Sequence, residues 1–133
     1  MYLFIESNPQ HQAGLYLISG SANFKIVDQL IWTTNQDLAE TLLKQIVIFL
    51  KSNNLALSDL RGLGVFAGPA GFTDLRVTHV IANTLAYSLQ IPITNAQTKT
   101  WQEQCFKALR QGQNFKIIKP FYGRLPTITK PKK

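Results

Sequence analysis

The residues best placed to do chemistry lie between Gly68 and Arg76, in the run Gly-Pro-Ala-Gly-Phe-Thr-Asp-Leu-Arg. Gly68 and Gly71 permit positive φ or close backbone approach, and Pro69 fixes its own φ, so the run should form a stiff corner. Phe72 opens the helix expected behind that corner, with Thr73 placed to cap it and Arg76 one turn in. A helix N-terminus beside an arginine can hold an anion. Two features oppose a phosphate there. Asp74 suits the helix dipole and repels an anion, and the lysine of a phosphate-binding P-loop is missing. The corner therefore reads as a rigid element that aims the helix behind it.

The other reactive side chains promise less. His11 sits in a polar turn and His79 on the corner helix, with no partner histidine or carboxylate at ligand spacing, so no metal site is expected. Cys105 falls on the apolar side of a helix beside Trp101 and Leu109, the setting of a core cysteine and not of a nucleophile. Glu6 ends the first apolar run, either as a remnant active-site acid or as a hydrogen-bonded strand-end carboxylate.

These residues must be positioned by elements that the hydrophobic pattern announces. Residues 2–6, 14–19 and 24–32 read as three strands in an antiparallel meander. From Thr34 to Asn53 the period changes, with Leu38, Leu42, Ile46, Phe49 and Leu50 at helical spacing and Thr34 with Asp37 as a capping box. A strand at 60–66, a helix at 72–90 and a strand begun by Ile91-Pro92-Ile93 follow. A third helix over 100–111 is opened by Thr100 with Glu103 and stopped at Gly112. Residues 115–119 read as a short strand or as an extended segment lying on the body. The order β-β-β-α-β-α-β-α predicts an α/β fold: a ribonuclease-H-like half-domain of the actin and sugar-kinase superfamily, with a mixed sheet of about five strands and helices packed on it.

At 133 residues the chain has room for one core. We expect two parts, a half-domain over 1–114 and a basic, proline-containing tail over 115–133 that docks on it or extends from it. The charge is uneven. Residues 1–106 carry a net −1 and residues 107–133 a net +8, with no acid among the latter. Lys116, Lys119, Arg124, Lys130, Lys132 and Lys133 are thus candidates for contact with RNA phosphates. The apolar runs are too short to span a bilayer, and no secretory signal is expected. With one cysteine, a reducing, cytoplasmic setting is the expectation.

The stretch Gly62–Ile93 closely resembles the signature of the TsaB family, also called YeaZ, whose members take part in making threonylcarbamoyladenosine in tRNA. Gly68, Pro69, Phe72, Thr73, Leu75 and Arg76 match the family's Gly-Pro-Gly-Ser-Phe-Thr-Gly-Leu-Arg in register, as do Ala86, Leu89, Ile91 and Pro92 downstream. Tyr2–Ser7 stands where the family has a strand ending in Asp-Thr-Ser, and Pro120–Arg124 is similar to a motif near the C-terminus of relatives nearly twice as long. Most of their second subdomain has no counterpart. Glu6 replaces the usual Asp, Ala70-Gly71 replace Gly-Ser and Asp74 replaces a Gly.

The resemblance implies a non-catalytic scaffold that binds and stabilises a TsaD-like catalytic partner, with no cofactor of its own. ATP and metal would sit on the partner subunits, a TsaE-like ATPase could join, tRNA would be met indirectly, and no membrane would be involved. The family's two helices pair with the partner or with a second copy. Here Leu38, Leu42, Val47 and Ile48 of the first and Val77, Val80, Ile81, Asn83, Thr84 and Tyr87 of the second are the interface candidates. The alternatives are a phosphotransferase or hydrolase of the same superfamily completed by dimerisation, and a tRNA-binding accessory module working through the tail.

Overall fold

The computed structural model describes residues 1–121. Five strands form one mixed sheet, β1 Tyr2–Ser7, β2 Gln12–Ile18, β3 Ile26–Thr33, β4 Gly62–Phe66 and β5 Ile93–Ala96. Three helices join them, α1 Leu38–Ser52, α2 Phe72–Leu89 and α3 Trp101–Arg110. The order across the sheet is β3-β2-β1-β4-β5. β1, β2 and β3 make the expected antiparallel meander, while β4 and β5 join parallel to β1 through helical crossovers.

Strand periodicity sorts the core into two layers. Leu3 and Ile5 of β1, Leu15 and Leu17 of β2, and Leu63 and Val65 of β4 face α1 and α2, where Leu42, Ile46, Leu75 and Ala82 meet them. On the other face Tyr2, Phe4, Tyr16 and Ile18 pack against Trp101, Cys105, Phe106 and Leu109 of α3. The aromatic rings there meet at edges and tilts, as between Tyr16 and Trp101 or Tyr2 and Phe106. Cys105 is therefore the core residue its position announced, and burial pushes its thiol up to about 11, partly offset by hydrogen bonds from Thr94 and Val65.

The Thr34–Asp37 capping box does not form, nor does the Thr100 side chain cap its helix. Thr34 donates both its backbone N–H (2.8 Å) and its hydroxyl (3.0 Å) to the His11 carbonyl, which fastens it to the β1–β2 turn, so α1 starts only at Leu38. Asp37 takes the cap position with its carboxylate turned to the Asn35 N–H. Thr100 does precede α3, but its hydroxyl accepts a hydrogen bond from Gln104 and leaves the helix amides alone. Thr34 is thus tied to a turn outside its helix, and Thr100 to a side chain of α3 in place of its amides. At the other end of α3, Gly112 adopts φ 79° just past the helix, as its stop role requires.

The segment after α3 forms no strand; it lies on the body but bends at 116–117, where Lys116 adopts φ 67°, so it is not extended throughout. Ile93 N–H donates to Asn114 Oδ1 (3.1 Å), and Phe115 N–H donates to the Ile93 carbonyl (2.9 Å). Ile118 sinks into the α1–α2 layer of the core, and Phe121 N–H reaches the Ala67 carbonyl at 2.6 Å.

Packing is tight at β4, where a Cβ on Gly64 would lie 2.7 Å from the Phe4 ring on the neighbouring strand and 3.0 Å from Cys105 Cβ of α3. Both neighbours are buried, so nothing there can give way cheaply. Gly64→Ala should lower unfolding free energy by about 1–3 kcal/mol, read as a shift of the urea midpoint at unchanged slope.

Candidate functional site

The strands β1, β4 and β5 are parallel, and ligands of open α/β sheets usually gather beyond the carboxyl ends of such strands. In this chain that edge holds Glu6, the β1–β2 turn and the glycine corner. Gly68 adopts φ 108°, and a Cβ there would run into the Phe121 carbonyl and the Leu75 side chain, so only glycine fits. The Gly68–Pro69 peptide is cis. Gly71 differs from expectation: its φ is −62° with open space around it, so neither conformation nor close approach demands a glycine. Gly71 also takes the cap position of α2. Thr73 consequently falls inside the first turn, exposed, and caps nothing.

A cleft of about 610 Å³ opens beside the start of α2, lined by Asn8, Pro9, His11, Gln36 and Gly71–Asp74. Asp74 stands in its wall, which disfavours the anion that a helix N-terminus would otherwise attract. A second cleft, about 600 Å³, has Glu6 beside Pro9, Phe66, Pro69 and Trp101. Glu6 is the hydrogen-bonded strand-end carboxylate: its Oε1 accepts from the Tyr16 hydroxyl at 2.7 Å. Burial, reinforced by that bond and that charge, holds the Tyr16 phenol protonated well above its ordinary range. Among the described residues no group of His, Cys, Asp and Glu could hold a metal ion. No helix among them is long and apolar enough to cross a membrane.

The helical surface is more informative than the clefts. Leu38 and Leu42 are fully buried in the domain's own core, because the sheet takes that stripe of α1, so these two candidates cannot meet a partner. Asn83 is also occupied. Its Oδ1 accepts from Ile118 N–H (2.9 Å) and its Nδ2 donates to the Ile118 carbonyl (3.0 Å), so the side chain pairs with the segment after α3 as a strand neighbour would. The remaining candidates stay outside. Val47 and Ile48 on α1 and Val80, Thr84 and Tyr87 on α2 are exposed, with Tyr87 at 79%. Val77 and Ile81 are half-buried between. Leu43, 45% exposed and one turn before Val47, belongs with them and was missed because its helical phase sits at the margin of the core stripe. Arg76 is exposed in the first turns of α2. Lys116 and Lys119 are exposed on the segment after α3, while Arg124, Lys130, Lys132 and Lys133 lie outside the described residues.

Next to Asn83, His79 forms a second tie that sequence spacing did not show. Its Nδ1 faces the Leu75 carbonyl at 2.8 Å and so carries the proton, which leaves Nε2 to accept from Asn95 Nδ2 at 3.3 Å. The second N–H of that amide goes to the Lys119 carbonyl at 2.8 Å. His79 is 2% exposed, and burial lowers its pKa below the ordinary 6.5 against a smaller opposing effect of the Leu75 bond.

No family model matches the sequence. The tRNA threonylcarbamoyladenosine biosynthesis protein TsaB of Buchnera aphidicola subsp. Schizaphis graminum is 28% identical over 105 residues, covering 74% of this chain and 50% of that protein. The chain thus spans about half the length of the curated relative it matches. Among solved structures, YeaZ from Pseudomonas aeruginosa superposes with TM-score 0.62 at 20% identity, over 72% of this chain and 43% of that one. RuvC of T. thermophilus in complex with a Holliday junction substrate gives TM-score 0.52 at 8% identity, over 91% and 83%. These structural likenesses bear on the fold alone, and the fold is ribonuclease-H-like.

Two tests follow from the ties to α2. Asn83→Ala removes both bonds to Ile118 and should cost about 1–3 kcal/mol, with hydrogen exchange rising at 115–121 before the rest of the domain. His79 is neutral in the fold and protonates first in the unfolded chain, so stability is full above pH 6.5 and falls as the pH drops below it. Urea midpoints at pH 7.5 and pH 5 should therefore differ, and His79→Gln should shrink the difference.

Proposed function

From its homology to the TsaB/YeaZ family, we propose that this chain is a non-catalytic scaffold subunit in threonylcarbamoyladenosine modification of tRNA, working in the cytoplasm. It binds and stabilises a TsaD-like catalytic partner through the outer surface of α1 and α2. ATP and metal belong to the partner subunits, which a TsaE-like ATPase can join.

The observation that carries this reading is the surplus of apolar side chains on two adjacent helices. α1 already supplies Leu38, Leu42, Ile46, Phe49 and Leu50 to the core, and α2 supplies Leu75, Ala82, Leu85 and Ala86. Leu43, Val47, Val80 and Tyr87 remain uncovered by anything in the described residues. A domain this small gains nothing from leaving them in water, and grouped exposure of this kind marks an interaction surface. The strand-end clefts favour a scaffold over an enzyme. Glu6 is engaged by Tyr16, Asp74 stands where an anion would sit, and the backbone of Phe121 closes over Gly68. Transfer chemistry on a phosphate would need the opposite arrangement. The exposed Lys116 and Lys119 would lend the assembled complex a nonspecific phosphate contact.

Co-expression with the TsaD-like protein of the same genome should give one complex on gel filtration. Val80→Asp combined with Tyr87→Asp, both at exposed sites, should weaken that complex at least about tenfold while shifting the melting curve little. Failure of the unaltered chain to associate with the TsaD-like protein would overturn the reading.

A further inference from the structure

The two most exposed large apolar side chains among the described residues are Tyr87, at 79%, and Ile117, at 71%. They come from different parts of the chain, yet both line one groove of about 370 Å³, whose other walls include Gln90, Ile91, Asn114 and Lys116. Ile117 is placed there by the course of the chain. Ile118 is 3% exposed, seated in the core and held through both backbone polar groups by Asn83, while just before it the chain bends: Lys116 adopts φ 67° and Ile117 N–H donates to the Phe115 carbonyl at 2.8 Å. Between that bend and the buried Ile118, Ile117 is left facing solvent. The Asn95 bond to the Lys119 carbonyl fixes the residue after Ile118.

The groove continues the face already described. Val80, Thr84 and Tyr87 follow one another a turn apart along α2 and end in it. A stable interface covers about 800 Å² on each side, a footprint wider than one line of side chains. Tyr87 belongs both to that line and to the groove, so a partner seated on Tyr87 has Ile117 as its immediate neighbour.

We infer that residues 114–119 are part of the partner-binding surface, and that the groove between Tyr87 and Ile117 receives an apolar anchor of the same catalytic partner, with Lys116 at its rim facing a carboxylate of that partner. The inference rests on the proposed scaffold role. Asn83 is then a positioning residue, which touches the segment and not the partner. The segment's basic residues serve a protein contact before any RNA contact.

The experiment measures affinity of the full-length chain for the TsaD-like protein by calorimetry, with tRNA binding measured in parallel. Ile117→Asp, at a solvent-exposed site, should weaken the protein complex about tenfold or more at unchanged melting behaviour. Asn83→Ala should weaken it by roughly three- to tenfold, in step with faster exchange at 115–121. Lys116→Glu should reduce the protein association and make it less sensitive to salt. Binding of Ile117→Asp equal to that of the unaltered chain, with Tyr87→Asp impaired, would overturn the inference while leaving the scaffold role standing. So would a Lys116→Glu change that lowers tRNA affinity alone, which would assign the segment to RNA. Loss of association in the unaltered chain would instead remove the scaffold role itself.

Discussion

The structure depends on burial of the central strand from both sides. β1 pairs antiparallel with β2 and parallel with β4, and its residues from Tyr2 to Ile5 are all buried, alternately toward the α1–α2 layer and toward α3. A strand with no polar face can be accommodated only if helices cover both sides of the sheet; the crossovers α1 and α2 cover one side, and α3, which follows β5, covers the other. The tightest consequence appears one strand away. β4 carries glycine at 62 and 64 on the α3 side because Leu109, Tyr2, Phe4 and Cys105 already fill that space. Bringing α3 this close completes the aromatic layer around Trp101.

From that arrangement the corner and α2 inherit their direction. β4 ends under Ala67, Gly68 turns with φ 108°, and α2 leaves from Gly71 toward the far end of β5. One side of α2 lies on the sheet, and a second is taken up by the segment after α3 through His79, Asn83 and their partners. What remains uncovered is the line Val80, Thr84 and Tyr87 on α2, and on α1 Leu43 and Val47. The function proposed for the chain thus rests on a remainder: the apolar surface left over after the sheet and that segment have taken their share. The strand-end clefts, where a related fold would do chemistry, are furnished with a hydrogen-bonded carboxylate and an aspartate.

Much of this was legible beforehand because it depends on local pattern. The short apolar runs at 2–6 and 14–19 announce strands, and the recurrence of Leu38, Leu42, Ile46 and Leu50 announces a helix. Gly68-Pro69 announces a corner. The burial of Cys105 followed from its phase beside Trp101 and Leu109, and the similarity to TsaB from an ordered run of matches. The errors have two sources, a nearer residue that took the role and a tertiary contact. Thr34 and Thr100 fitted a capping pattern, Leu38 and Leu42 fitted an interface, Thr73 fitted a cap and Asn83 fitted an exposed helix. Gln104 engages the Thr100 hydroxyl and Gly71 takes the cap that Thr73 was to fill, whereas Thr34, Asn83, Leu38 and Leu42 are claimed by groups distant in the sequence.

The sequence by itself determined the elements, their order and the ribonuclease-H-like sheet they build, because hydrophobic period and turn chemistry act over a few residues and are written locally. Only the tertiary structure decided which apolar residues of α1 and α2 are core and which are surface. Helical phase places a residue on a face, but whether that face is covered depends on how the crossovers seat the helix on the sheet. It also decided the roles of Asn83, His79 and Ile118. Their hydrogen bonds join residues 16 to 35 positions apart, 79 with 95 and 83 with 118, a separation across which sequence spacing carries no information about distance.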